Sequence, residues 1–247
     1  MPLREEFERS GNWLFRWRSY LPLLLLLPMM LAIGHPHSLG VNDARPDFWP
    51  LVCMGISFCG LAIRVATVGY APAGTSGRNT RTGQVAESLN TTGMYCLVRH
   101  PLYLGNFVIW MGVSMYAMLW WLSALVALIF WLYYERIMFA EEEFLRRKFG
   151  DAFLRWAQST PAFLPKLRGW KRPELPFSLR SVLRREYPGL FAIIACFYVL
   201  KAYERLVVER QHAVEPLWTG IFLAGLVVFL VLRTLKRRTT LLTVAGR

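Results

Sequence analysis

The chain has 247 residues, 55% of them hydrophobic, and a formal net charge of +13. A soluble domain carries about 45–50% apolar residues, so this composition and a mean hydropathy of +0.32 argue against a soluble protein. They predict an all-α, polytopic membrane helical bundle forming one domain over 1–247. A charge of this size also suits nucleic acid. Here the Lys and Arg residues lie between apolar runs, as membrane topology requires, so the expected partners are a lipid substrate and anionic lipid head groups, with no nucleic acid. The four cysteines, Cys53, Cys59, Cys96 and Cys196, contain no C-x-x-C pair, and predict neither a metal site nor a disulfide framework.

The first apolar segment covers residues 21–33, follows Arg16 and Arg18, and contains two prolines. It predicts a retained, kinked span. The second covers 48–70 and holds Arg64 within it. Residues 102–139 carry no charge before Glu135. As one helix these would extend about 57 Å at 1.5 Å per residue, roughly twice a bilayer core. They must fold back as a hairpin, with the turn expected near 118–123, so the start of the third span and the end of the fourth share one membrane face. Residues 141–187 are polar, with 11 Lys/Arg against 6 Asp/Glu. Two further spans follow, over 188–200 and 216–232. Six spans put nearly all the basic segments on one side, which the positive-inside rule makes cytoplasmic. "KAYERLVVER" is the outlier on the far side. Both termini are expected to be cytoplasmic.

The third span opens with "CLVRHPLYLGNFVIWMG". Pro101 suits a first helical turn, where its missing N–H loses no bond. The backbone donors of that turn favour an anion. His100, Tyr103, Phe107 and Trp110 fall near one stripe, and Gly105 lets another backbone or a flat ligand come close. These groups suit a small zwitterion with an aromatic base and a cationic centre, since a tyrosine face attracts sulfonium. The plain alternative is a basic flank with an interfacial tyrosine. The fourth span changes that balance. Glu135 and Glu142 are seven apart on one helix face, and the hairpin is expected to carry both beside Arg99 and His100. Glu143 is expected to form a solvated i,i+4 pair with Arg147.

"RHPLYLG" followed by an apolar hairpin and "EEEFLRRKFGDAFLRW...PAFLP" resembles the membrane methyltransferase family of isoprenylcysteine carboxyl methyltransferases and phospholipid N-methyltransferases. The resemblance covers about 91–165 and leaves the helix pair at 188–233 outside it. Phe153 stands where the family usually has tyrosine. The resemblance implies S-adenosylmethionine as cofactor, with His100 and Tyr103 at its carboxylate and amino end. Pro101 opens the helix, Gly105 admits the nucleoside, and Glu141 or Glu142 takes the amino group or ribose hydroxyls. The loop's "GTSGRNT" and "LNTTGMY" are similar to a bacterial branch linked to O-methylation of the lipid A 1-phosphate, which places the chain in a bacterial inner membrane.

The acceptor follows from charge. An anionic oxygen needs no base, only cations to desolvate and aim it, whereas an amine must first lose a proton. Arg64 inside the second span, Arg78 and Arg81 in the 74–95 loop, and Arg99 are candidate contacts for such an anion. Arg64, Arg78, Arg99 and Glu142 are the expected catalytic set. Lipid-phosphate O-methylation is the leading reading, methyl esterification of a prenylcysteine-type carboxylate the second, and a phosphatidylethanolamine nitrogen the third. Two other classes compete: an NADPH-dependent, sterol-reductase-like oxidoreductase and a non-catalytic membrane scaffold.

Overall fold

The computed structural model describes residues 2–34, 46–75, 78–80, 83–211 and 213–247; at 78–80 and 83–85 it describes the backbone. Eight α-helices build the described chain: α1 Leu3–Trp17, α2 Leu26–Gly34, α3 Trp49–Tyr70, α4 Pro101–Ser114, α5 Trp120–Phe149, α6 Asp151–Ser159, α7 Leu179–Val207 and α8 Pro216–Arg238. Two three-residue strands, Arg78–Thr80 and Gly83–Val85, pair antiparallel between α3 and α4. The molecule is otherwise a helical membrane bundle, as its composition predicts.

Hydrogen bonds mark the bundle's two ends. At one end the loops around residues 73, 93–100, 161–178 and 246 are tied together, through Ala73 N–H to Gly246 O, Gly93 N–H to Lys171 O and Ser178 N–H to Gly69 O. At the other, the Trp49 indole donates to Met115 O at 2.8 Å, and Tyr116 donates to Glu204 at 2.9 Å. Between these ends the described chain traverses the bundle six times, and its first and last described residues lie at the end that holds His100. Three helices, α3, α5 and α8, are long and apolar enough to cross a membrane, or four spans if the bent pair of Leu3–Trp17 and Leu21–Gly34 counts as one. These apolar helices make the protein integral to a membrane. The fourteen residues of α4 give about 21 Å, short of the roughly 30 Å core. Charged residues at both ends of α7, including Glu186 and Lys201, shorten its apolar middle.

The N-terminal segment departs from expectation. Residues 3–17 form an amphipathic helix antiparallel to the end of α5. A bend of 80° then leads into residues 21–34. Arg4 pairs with Glu143, Arg147 with Glu8 at 3.0 Å, and Tyr133 donates to Leu14 O at 3.1 Å. Glu143 is therefore buried under α1 and does not form the solvated pair read from its spacing to Arg147. The hairpin turn also falls earlier than 118–123. The chain turns at 115–119, where Met118 takes a left-handed conformation with φ of 54°.

Helices α3 and α4 pack at backbone contact through small residues. A Cβ on Gly60 would lie 2.5 Å from Gly105 O and 2.7 Å from Ile109 N, and one on Gly112 would lie 2.5 Å from Cys53 O. Ser57 closes the seam by donating to Ile109 O at 2.9 Å. Close approach lets dispersion contacts and a hydroxyl bond hold two helices where lipid offers no hydrophobic drive. Gly60→Ala should lower stability by about 1–3 kcal/mol, the usual cost of overpacking, read as a fall in thermal midpoint in detergent. Gly55, with nothing within 4 Å of its Cβ position, is the control, and Gly55→Ala should be neutral or stabilising.

Candidate active site

The site is assembled by three stretches that meet at the start of α4. His100 is its N-cap residue, and Pro101 occupies the first turn, so the helix begins where proline allows. The segment after α6 runs back beside it: Arg99 N–H donates to Pro161 O at 2.9 Å, His100 N–H to Ala162 O at 3.2 Å, and Lys166 N–H to Leu97 O at 3.1 Å. This backbone clip is the physical content of "PAFLP". Gly150, at φ of +50°, ends α5 with a conformation that favours glycine and redirects the chain into α6, which delivers that clip.

The end of α5 supplies the acids. Glu142 Oε1 accepts from Arg99 Nε at 2.9 Å and lies 2.9 Å from His100 Nε2. Glu141 Oε2 accepts from the Tyr103 hydroxyl at 2.9 Å and lies 3.6 Å from His100 Nδ1. His100, only 6% exposed, thus sits between two carboxylates. Its ring stacks on Tyr103, with centroids 5.6 Å apart. Burial pulls the imidazole pKa down, but the hydrogen bonds and charges of Glu141 and Glu142 outweigh it and raise it to about 9. The ring is an imidazolium at neutral pH. Arg99 also donates to Ala157 O at 2.7 Å and Thr160 O at 3.1 Å, placing a cation on the C-terminal carbonyls of α6.

These groups border a cavity of about 560 Å³. Tyr95, Arg99, His100, Tyr103 and Glu141 line its mouth, and it deepens along α4 and α7 to Ile109, Trp110, Val113, Ile193 and Cys196. The polar mouth therefore gives way to an apolar interior. A second, much smaller cavity shares Tyr95, Arg99, His100 and Glu141 with the first and is bounded outward by Ser88, Asn90 and Trp156.

Several expectations are corrected. Glu135 does not join Arg99 and His100, and carries no hydrogen bond or ion pair among the described residues. Glu142 lines neither cavity; it stands behind His100 and holds it, whereas Glu141 faces both cavities. Gly105 faces α3, where a Cβ would strike Arg64 Cγ at 2.6 Å. Its small size serves a neighbouring backbone, not a nucleoside. Arg64 borders the cavity, but its guanidinium fork grips Glu186 at 2.8 and 3.0 Å, and its third donor reaches Asn106 at 2.7 Å. Arg99 is likewise committed to Glu142 and α6. Arg78 lies on the first strand, where the backbone alone is described, and Arg81 lies outside the described residues.

The residues not anticipated come mostly from outside 91–165. Glu186 and Arg185 stand at the start of the apolar part of α7, and Arg18 closes α1; all three line the cavity. The signal for Glu186 was present: a carboxylate at a span's edge is the complement that an arginine inside another span requires. Asn106 links Arg64 to Tyr134, donating to its hydroxyl at 3.1 Å. Among the described residues, no group of three or more His, Cys, Asp or Glu side chains is arranged to hold a metal ion.

Comparison with known proteins falls on this same region. Residues 51–152 match the family described as Phospholipid methyltransferase. A nickel-cobalt-cadmium resistance protein, NccN, of Alcaligenes xylosoxydans xylosoxydans is 38% identical over 156 residues, 61% of this chain and 63% of its own. The cobalt-zinc-cadmium resistance protein CzcN of Cupriavidus metallidurans is 36% identical over 109 residues, 43% and 47% of the two chains. Protein-S-isoprenylcysteine O-methyltransferase of Schizosaccharomyces pombe is 31% identical over 158 residues, 58% and 64% of the two. This chain thus spans less than two thirds of the length of each of these relatives. No solved structure matches. The resemblance carried by "RHPLYLG" and the paired glutamates is shown, and residues 51–152, which hold Arg99, His100, Tyr103, Glu141 and Glu142, are a segment of the phospholipid methyltransferase family.

Proposed function

We propose that the protein transfers a methyl group from S-adenosylmethionine to the anionic head of a membrane amphiphile, with a lipid phosphate as the leading acceptor. The observation that carries this is the His100–Glu141–Tyr103 cluster at the polar mouth of a cavity that turns apolar with depth. Its volume of about 560 Å³ falls within the roughly 300–1,000 Å³ of small-molecule sites. The donor set fits the cofactor's parts. Glu141 suits an ammonium, the His100 imidazolium a carboxylate, and the Tyr95, Tyr103 and Tyr134 rings a sulfonium. The cofactor, when bound, supplies an electrophilic methyl on sulfur. The chain's own residues hold the two reactants in line and exclude water, which can account for much of such a reaction's rate.

The protonation state of His100 favours an anionic acceptor. An amine needs a base, and an imidazole with a pKa of about 9 is a donor at neutral pH. A phosphate or carboxylate oxygen needs only positive surroundings, and four arginines line this cavity against two glutamates. The second reading, a prenylcysteine-type carboxylate, is supported by the likeness to the Schizosaccharomyces pombe enzyme; it uses the same cluster with a different anion. We place the mouth and both chain ends on the cytoplasmic side of a bacterial inner membrane, following the Lys and Arg distribution. Arg78, by its position in the loop before α4, is kept as a cation on the acceptor's side.

Calorimetry on the detergent-solubilised chain tests the cofactor assignment. Glu141→Gln and His100→Ala should each weaken S-adenosylmethionine by about tenfold or more, or about 1.4 kcal/mol. Glu142→Gln should act more weakly, through His100. Wild-type affinity in all three would remove the assignment, and stabilisation by NADPH in its place would favour the oxidoreductase.

The pH dependence tests the acceptor class. The folded-state pKa of His100 is raised from 6.5 to about 9, so its contribution to stability is complete below about 6.5 and is lost as pH rises through about 9. The thermal midpoint should fall across that window, and the fall should be smaller in His100→Gln. Turnover should decline through the same pH. A rate that instead climbs toward pH 9 would mark His100 as a base and point to an amine.

A further inference from the structure

The arginines around the cavity divide into two kinds. Arg64 and Arg99 are braces: the first joins α3, α4 and α7 through Glu186 and Asn106, and the second joins the start of α4 to α5 and α6. Arg18 and Arg185 come from elements outside the matched 51–152 segment. Arg18 is the C-cap of α1, at the 80° bend. Arg185 is on α7, beside Glu186. Each is half-buried and lines the same cavity.

Their placement is suited to an oxyanion. The Arg18 guanidinium lies 3.9 Å from the Phe15 ring centroid. Such a stack uses the flat face of the group, whereas a phosphate or carboxylate takes its N–H edge. The charge of Arg18 acts on Tyr103, Tyr134 and Glu141, and that of Arg185 on Tyr95. The two cations therefore approach one mouth from different walls, α1 with α5 and α7 with α3. Below them the cavity is apolar along Leu23, Ala192, Ile193 and Cys196, and Leu23 is itself half exposed at the outer surface.

We propose that Arg18 and Arg185 form the acceptor clamp: they hold the anionic head group from two walls while its apolar tail runs along Leu23 and the α7 face. The proposal rests on reading this cavity as the acceptor chamber of a methyltransferase. It assigns the cofactor cluster to the family segment and the selection of the acceptor to the flanking elements.

The test uses the full chain in detergent micelles, titrated by calorimetry with dioleoyl phosphatidic acid, with dioleoylglycerol, and with a prenylcysteine carboxylate. The wild type should prefer phosphatidic acid to dioleoylglycerol by about tenfold or more. Arg18→Gln and Arg185→Gln should each weaken phosphatidic acid by about tenfold. Both should leave dioleoylglycerol and S-adenosylmethionine within about twofold, and Arg→Lys at either position should recover part of the loss. A larger loss for the prenylcysteine ligand than for phosphatidic acid would name the carboxylate as the clamped anion. Equal wild-type affinity for the two glycerolipids together with weak prenylcysteine binding overturns the clamp without any variant. So does unchanged affinity for both anions in the glutamine variants. Absence of S-adenosylmethionine binding to the wild type would instead overturn the cofactor reading, a result the lipid titrations do not depend on.

Discussion

One imidazolium and one guanidinium at the start of α4 are held by two consecutive carboxylates near the end of α5, and the mouth of the bundle depends on that junction. Burying four charges in a small volume costs several kcal/mol per ion unless each is paired and hydrogen-bonded. Here each is. His100 lies between Glu141 and Glu142, Arg99 shares Glu142 and fills the carbonyls of α6, and Tyr103 caps Glu141. The returning segment at 161–166 then fixes the backbone of both basic residues. Hairpin, elbow at Gly150 and returning segment thus all serve to place two basic residues against two acidic ones.

The same rule recurs wherever charge enters the bundle. Arg64 inside α3 is answered by Glu186, and Glu143 by Arg4. Lys201, 8% exposed, is answered by Glu204 at 3.2 Å and Glu215 at 3.4 Å at the opposite end. Each pair joins elements distant in sequence except Lys201–Glu204, which sits on one helix and is extended by Glu215. The ion pairs act as cross-ties between helices whose outer faces are almost wholly apolar. Among the cations bordering the cavity, those spent as ties are separated from those turned to its occupant by element: the ties lie within 51–152, and Arg18 and Arg185 outside it.

Much of this was legible in the sequence, for identifiable reasons. An uncharged run too long for one crossing dictates a hairpin, and a histidine and arginine before it predict acids near the hairpin's far leg. Which acids could not be settled by spacing. Glu135 shares a face with Glu142, yet it lies nearly two turns deeper than the His100 ring. Glu143 was misread because arithmetic along one helix cannot register a second helix lying over it. That second helix, α1, has no apolar run to announce it, only charges alternating with Phe7, Leu14 and Phe15. Gly105 carried two readings, a backbone or a ligand, and the α3 backbone filled the space. The Arg64–Glu186 pair spans 122 positions, and depends on the rotation of two helices that no local pattern specifies.

The shortness of α4 has a consequence for traffic. At fourteen residues it is about 24 Å shorter than the thirty-residue α5 at 1.5 Å per residue, and their joined ends lie at the turn near residue 115. The start of α4 therefore forms the floor of a well whose rim is raised by the last turns of α5 and by α1 lying against them. A water-borne molecule reaches that floor by descending from the rim, whereas an amphiphile reaches it sideways, past Leu23 and the α7 face. In the proposed reaction the two reactants arrive along perpendicular routes, so neither has to leave before the other can enter.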